Sequence, residues 1–198
     1  MGGMRPFREP DPAMLVAGLI FRPDFTLEPF LNDLCSRMDR IVIPWHRPVS
    51  VIKVSEPHPF DFTSYYEQEM GRGLMRAFVA LSALIPQEAL SEAKHVARRL
   101  ELEHLDSSGG RRINLDPGLL CAEKLVLAST KNFTHRIYLE KGVFAELTLI
   151  FQKGGFRPLP WTYPDYQADW AVEFWNSTRR EYLKILREFS RQIEERSR

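Results

Sequence analysis

Two cysteines, five histidines and a net charge of +1 across 198 residues leave this chain short of the side chains on which several protein classes depend. Cys35 and Cys121 are too few for a disulfide framework, and with no CxxC and no HExxH there is no recognisable zinc ligand set. Both thiols lie in apolar stretches expected to be helical, which fits buried, reduced cysteines and a cytoplasmic address. Lys and Arg (27) nearly cancel Asp and Glu (26) and are interspersed with them, so nothing points to a membrane surface and little to nucleic acid. No apolar run approaches the roughly 20 residues that span a bilayer. Residues 1–13 lack the build of a signal peptide and read as a mobile tail ahead of a single domain over 14–198. A GxSxG elbow is missing, and neither cysteine has an evident histidine partner, so nucleophilic catalysis has no support. No cofactor is implied.

The apolar residues that are present fall into periodic runs. Met14–Phe21 is continuous and of strand length, Phe25–Met38 has helical spacing with Thr26 as a cap, and Val49–Val54 is β-rich. Ile41–Ile43 forms a similar short run, separated from it by a Pro-Trp-His-Arg-Pro bend that suits an edge or a bulge. Ser55–Gly73 is a long polar-aromatic connection in which Asp61, Tyr65, Tyr66 and Glu69 are the reactive candidates. Leu74–Ile85 reads as a strand ended by Pro86, Gln87–His104 as a helix, Asp106–Gly110 as a turn, and Gln167–Arg196 as a long amphipathic helix.

The chain is organised around residues 111–166. Asp116-Pro117-Gly118 before an apolar run reads as a helix start, with Asp116 the N-cap of a buried helix over 117–130. His135–Glu140 and Val143–Gln152 form a hairpin whose three-residue turn, Glu140-Lys141-Gly142, places Arg136 opposite Glu146 and Thr134 opposite Thr148. Val143, Ala145, Leu147, Leu149 and Phe151 then alternate as an apolar face, leaving Arg136, Tyr138, Glu146 and Thr148 on the other, where Arg112 and Asn114 could join them. A stiff aromatic loop, Pro158–Tyr166, closes the segment, with Asp165 available to cap the last helix. The element order, β-α-β-β-α twice, favours an α+β domain with a largely antiparallel sheet and helices on one face, a ferredoxin-like elaboration being one form of it.

The strings FDFTSYYEQEMG, RRINLDPG, LVLASTKNFTHRIYLEKGVFAELTLIF and PLPWTYPDY resemble a prokaryotic family catalogued as domain of unknown function 4416. The resemblance covers nearly the whole chain after the tail and implies little about activity, although similar proteins have sometimes carried an automatic GTP-binding label. That label fails two tests here. There is no GxxxxGK[ST] phosphate loop, and Phe133 stands where the guanine-reading Asp of a TKxD motif would be.

Two functional readings lead, ahead of a weaker third, single-stranded RNA held on the sheet face by stacked aromatics, which the near-zero net charge speaks against. In the first, an anionic small molecule bearing phosphate or carboxylate, a nucleotide among the candidates, meets a polar face formed by residues 111–152. Glu146, Lys124 and Tyr138 are its candidate catalytic groups. Arg112, Asn114, Lys131, His135, Arg136 and Thr148 are its ligand-binding candidates, with Trp161 and Tyr163 from the aromatic loop. In the second, the aromatic loop and the C-terminal helix form a protein-interaction or homodimer surface on which Trp161, Tyr163 and Trp175 would be exposed.

Overall fold

A computed structural model describes residues 9–43 and 48–196. Its centre is a nine-stranded antiparallel sheet in which seven strands follow the order β2-β4-β1-β5-β6-β8-β7, with β3 also pairing β4 and β9 also pairing β8. The strands are β1 (Ala13–Phe21), β2 (Val51–Val54), β3 (His58–Pro59), β4 (Met75–Ile85), β5 (Ile113–Leu120), β6 (Lys124–Ser129), β7 (Arg136–Glu140), β8 (Val143–Gln152) and β9 (Gly155–Pro158). The helices are α1 (Leu27–Met38), α2 (Glu67–Met70), α3 (Leu90–Glu103), α4 (Pro164–Gln167) and α5 (Asp169–Arg196).

Helices cover both faces of the sheet, not the single face expected. Odd-numbered residues of β1, from Ala13 to Phe21, pack with α1 and α3, while Met14 and Val16 pack with Trp175, Tyr182 and Phe189 of α5. This explains why β1 reads as an unbroken apolar run and β4 as one interrupted only by Arg76 and Ser82, since each is buried on both sides. A large apolar side chain fully withdrawn from water contributes roughly 1.5–3 kcal/mol. Strands β1, β2, β4 and β5 with α1 and α3 run β-α-β-β-α-β along the chain and β2-β4-β1-β5 in space. A second copy of the β-α-β-β-α order is not present, because the helix expected over 117–130 is the strand pair β5–β6.

That correction has a physical cause. Ladder bonding to β1 holds β5 extended from Ile113 to Leu120, with Asp116 opposite Gly18 and Pro117 opposite Ala17. Leu115 directs its N–H to Glu101 and its C=O to Lys94, both on α3. Strand alternation puts the nitrogen of Pro117 on that same edge, where β6 has not yet begun to pair, so its missing donor costs no ladder bond. Gly118 permits the pairing that follows: a Cβ there would stand 2.7 Å from the Val126 carbonyl oxygen. Asp116 is therefore a mid-strand residue and caps no helix.

Smaller differences occur elsewhere. Ile41–Ile43 forms no strand, although the Ile43 N–H donates to Leu84 O at 3.1 Å. The bend expected next to it falls at 44–47, outside the described residues. Thr26 precedes α1 without a side-chain capping bond. Of the expected tail, residues 1–8 are not described, Asp11 and Pro12 accept bonds from Gln87 and Tyr182, and Ala13 opens β1. Cys121 sits in the β5–β6 turn and not in a helix, and both cysteines are buried and free. None of the described helices is long and apolar enough to cross a membrane.

Candidate functional site

Pairing between β5 and β6 spans only Gly118–Leu120 against Leu125–Leu127, while β6 continues alongside β8. Towards Ile113, β5 therefore has no strand on its outer edge. Lys94 and Glu101 supply the bonds a strand would have made, and the sheet opens into a wedge holding a cavity of about 590 Å3. Its walls come from β1, β4 and β5 on one side, from β6 and β8 on the other, from α3, and from the 60–74 connection and the aromatic loop.

One polar network runs along the β5 wall. Asp116 accepts from Lys94 Nζ at 3.0 Å and from Asn114 Nδ2 at 2.7 Å, and Asn114 in turn accepts from Arg111 Nη1 at 2.7 Å. Arg111 grips Glu69 of α2 through both carboxylate oxygens at 2.6 and 2.7 Å, tying the 60–74 connection to the wall. Burial opposes the charge on Asp116, but the ammonium of Lys94 and the guanidinium of Arg76 outweigh it and hold the carboxyl below the ordinary range. The Arg111 bond likewise lowers the Glu69 carboxyl.

Arg76, from β4, lies deepest. It is 1% exposed, with its guanidinium carbon 4.8 Å from the Phe78 ring centroid and 4.9 Å from that of Tyr166. The Asp165 carboxylate stands 2.8 Å from Nε, close enough to pair the charges but off the line of a hydrogen bond, and neither Nε nor Nη1 has a hydrogen-bond partner among the described residues. The same holds for the buried Tyr166 hydroxyl, which burial pushes well above the ordinary phenol value. Asp165 is thus the counter-ion of a buried arginine, not the cap of the last helix.

A second network lines the β6–β8 wall. Arg136 and Glu146 are opposite one another in the hairpin, and Arg136 donates to Glu146 Oε2, to Lys131 O and to the Tyr163 hydroxyl at 2.6, 2.9 and 2.6 Å. His135 Nε2 lies 3.4 Å from the same Glu146 oxygen, and its ring stacks on Trp161 at 4.9 Å. Lys131 donates to the Tyr65 hydroxyl at 2.6 Å, so the 60–74 connection is fastened to this wall as well. The turn itself has two residues, Lys141 and Gly142, both at positive φ, with Glu140 opposite Val143. A register irregularity between Tyr138 and Glu140 then restores the Arg136–Glu146 pairing.

Of the expected site residues, Glu146, Asn114, Lys131 and Tyr163 line the cavity, and Arg136, His135 and Trp161 stand behind them. Four lie elsewhere. Lys124 pairs with Ile150 at the far end of β6, and Tyr138 is 58% exposed against Phe144. Arg112 faces Asp24 and the Phe25 ring. Thr148 is buried and donates to Glu146 O. A register shift in the β6–β8 pairing takes Thr148 out of the alternation, so Leu149 packs under α5 whereas Val143 packs under α3. Thr134 precedes β7 and has no place in the pairing.

Arg76, Lys94, Glu101, Arg111 and Asp116 went unrecognised as site residues. A charged residue inside an apolar run was the available signal for Arg76; α3 carries so many charges that Lys94 and Glu101 gave none. Among the loop candidates Tyr65, Tyr66 and Glu69 reach the cavity, and Asp61 does not. Trp175, expected on an interaction surface, is fully buried, while Trp161 and Tyr163 are 38% and 43% exposed. The described residues contain no group of three or more His, Cys, Asp or Glu able to hold a metal.

Residues 46–182 match the model of a family described as Domain of unknown function (DUF4416). Neither any curated protein nor any solved structure matches the chain.

Proposed function

From the membership of this chain in that family of unknown function, and from the wedge in its sheet, we propose that the protein binds a small molecule bearing a phosphate or carboxylate group. The cavity volume lies within the 300–1,000 Å3 that suits such ligands. One observation carries the reading. Arg76 is buried at the cavity with its Nη1 donor unused, and leaving a buried donor unmet costs about 1–3 kcal/mol. An anionic oxygen accepting from Arg76 removes that cost, and the guanidinium fork suits phosphate or carboxylate better than an ammonium does. Lys131, on the opposite wall, supplies a second positive charge. Of the three residues expected to be catalytic, Glu146 alone lines the cavity, beside other titratable groups such as Glu69, His95 and Asp116.

The test is a thermal-shift series with inorganic phosphate, ribose 5-phosphate, nucleotides and citrate on the wild type, on Arg76→Lys and on Lys131→Ala. An anion at about 100 times its dissociation constant adds roughly 2.7 kcal/mol of stability. Stabilisation of the wild type that is lost in Arg76→Lys, with the fold retained, supports the reading. If no anion in the series stabilises the wild type, the reading is wrong.

A further inference from the structure

The inference that follows rests on the anion-binding reading and concerns the β6–β8 wall of the cavity, where Glu146 lies. Glu146 is 1% exposed, and its two carboxylate oxygens are treated differently. Oε2 accepts from Arg136 and faces His135, whereas Oε1 has no hydrogen-bond partner among the described residues. A buried carboxylate oxygen withheld from every protein donor, on a residue lining a cavity, is an acceptor reserved for something that enters it.

Arg76 and Glu146 cannot serve the same end of a compact ligand. The Arg76 guanidinium lies against Gly18 of β1, and Glu146 is on β8, three strands further across the sheet through β5 and β6. At about 4.8 Å per strand the two backbones are at least about 14 Å apart, and more where the wedge parts β5 from β6, so their polar tips are separated by on the order of 10 Å. Leu127 and the rings of Tyr66, Tyr163 and Tyr166 line the cavity as well.

We infer that the cleft takes an elongated, two-ended ligand with the size and polarity of a nucleoside monophosphate whose base carries an exocyclic amine. The phosphate is held at Arg76, the amine N–H donates to Glu146 Oε1, and the flat, partly apolar middle lies against Leu127 and the tyrosine rings. A plain inorganic anion satisfies only one of the two ends. An amino acid, whose charged groups are separated by only two bonds through one carbon, is too short to reach both.

Calorimetric titration of the full chain tests this with AMP and CMP, with IMP and UMP, in which a carbonyl replaces that amine, and with ribose 5-phosphate as the anion alone. AMP and CMP are expected to bind at least tenfold tighter than IMP, UMP and ribose 5-phosphate. In Glu146→Gln the advantage of AMP and CMP over IMP and UMP is expected to vanish. If ribose 5-phosphate binds the wild type as tightly as AMP and CMP, the two-ended ligand is overturned and the anion reading stands. Equal binding of the amine and carbonyl bases overturns it too, because Glu146 is then not reading the base. If none of the five binds, the inference falls, and the anion reading falls with it only if inorganic phosphate and citrate also fail to stabilise the wild type. Should Glu146→Gln fail to fold, the wild-type comparison of amine with carbonyl bases decides alone.

Discussion

Gly18 and Arg76 stand on neighbouring strands so close together that a Cβ on residue 18 would lie 2.7 Å from the arginine Nη2 and 2.5 Å from the Tyr166 hydroxyl oxygen. The glycine is needed here for space, since the guanidinium and the phenol fill the room its side chain would occupy. Gly18→Ala is expected to cost about 1–3 kcal/mol, read from the urea midpoint. Tyr166→Phe removes one of the two obstacles, so Gly18→Ala should cost less in that background. Equal costs in both backgrounds would show that the hydroxyl is not the obstacle.

Lys94 and Asp116 make stability depend on acidity. Because the folded carboxyl of Asp116 titrates below its unfolded value of about 3.9, the stability it contributes is complete above that value and is lost as pH falls towards the folded one. In Lys94→Met, burial of Asp116 loses its main opponent, and the variant should be destabilised by about 1–3 kcal/mol at neutral pH. That deficit should shrink as the pH falls below about 3.9, where the carboxyl of the unfolded chain protonates and the wild type loses the contribution of the lowered Asp116. Denaturant titrations at several pH values check this, and a constant deficit would assign the whole loss to the Leu115 carbonyl bond.

Lys141 occupies the first position of a two-residue hairpin turn at φ 48°, followed by Gly142 at φ 76°. Side chains with a Cβ are disfavoured there, and Asn tolerates the conformation best. Lys141→Asn should raise stability by a few tenths of a kcal/mol up to about 1, whereas Gly142→Ala should lower it by about 1. Melting temperatures of the two variants should move in opposite directions.

Burial pushes the Cys121 thiol up to about 11, and the Cys35 thiol is also raised, by burial and by Asp39. At pH 8 only about 0.1% of Cys121 is thiolate, so a disulfide reagent should modify it roughly a hundredfold or more slowly than it modifies the unfolded chain. Rapid labelling of Cys121 in the folded protein would show that the β5–β6 turn opens readily.

Much of the fold could be read from the sequence because burial on two faces leaves long apolar runs, as in β1 and, around Arg76 and Ser82, in β4, and because α1, α3 and α5 keep helical spacing. The Arg136–Glu146 pairing was legible because hairpin register is local. What misled was Asp116-Pro117-Gly118, where the local chemistry of a helix start was overridden by a strand 98 residues earlier in the chain, as the pairing of Gly18 with Asp116 shows. Arg112 and Arg111 could not be told apart without knowing that residue 111 bridges to Leu105 and turns its side chain towards Glu69. Lys94 and Glu101 carry no sequence signal at all, since the Leu115 backbone groups they hold, and Asp116 beside them, lie on a strand the local sequence does not link to α3.

With the outer edge of Leu115 bonded to a helix, the stand-off between α3 and β5 is set by the reach of two side chains, Lys94 and Glu101. The gauge of the cleft is therefore adjustable one methylene at a time. Shortening Glu101 to Asp draws the helix in or breaks the bond, and neither change needs the sheet to be rethreaded. Changes at positions 94 and 101 therefore alter the width of the cavity while every strand keeps its neighbours.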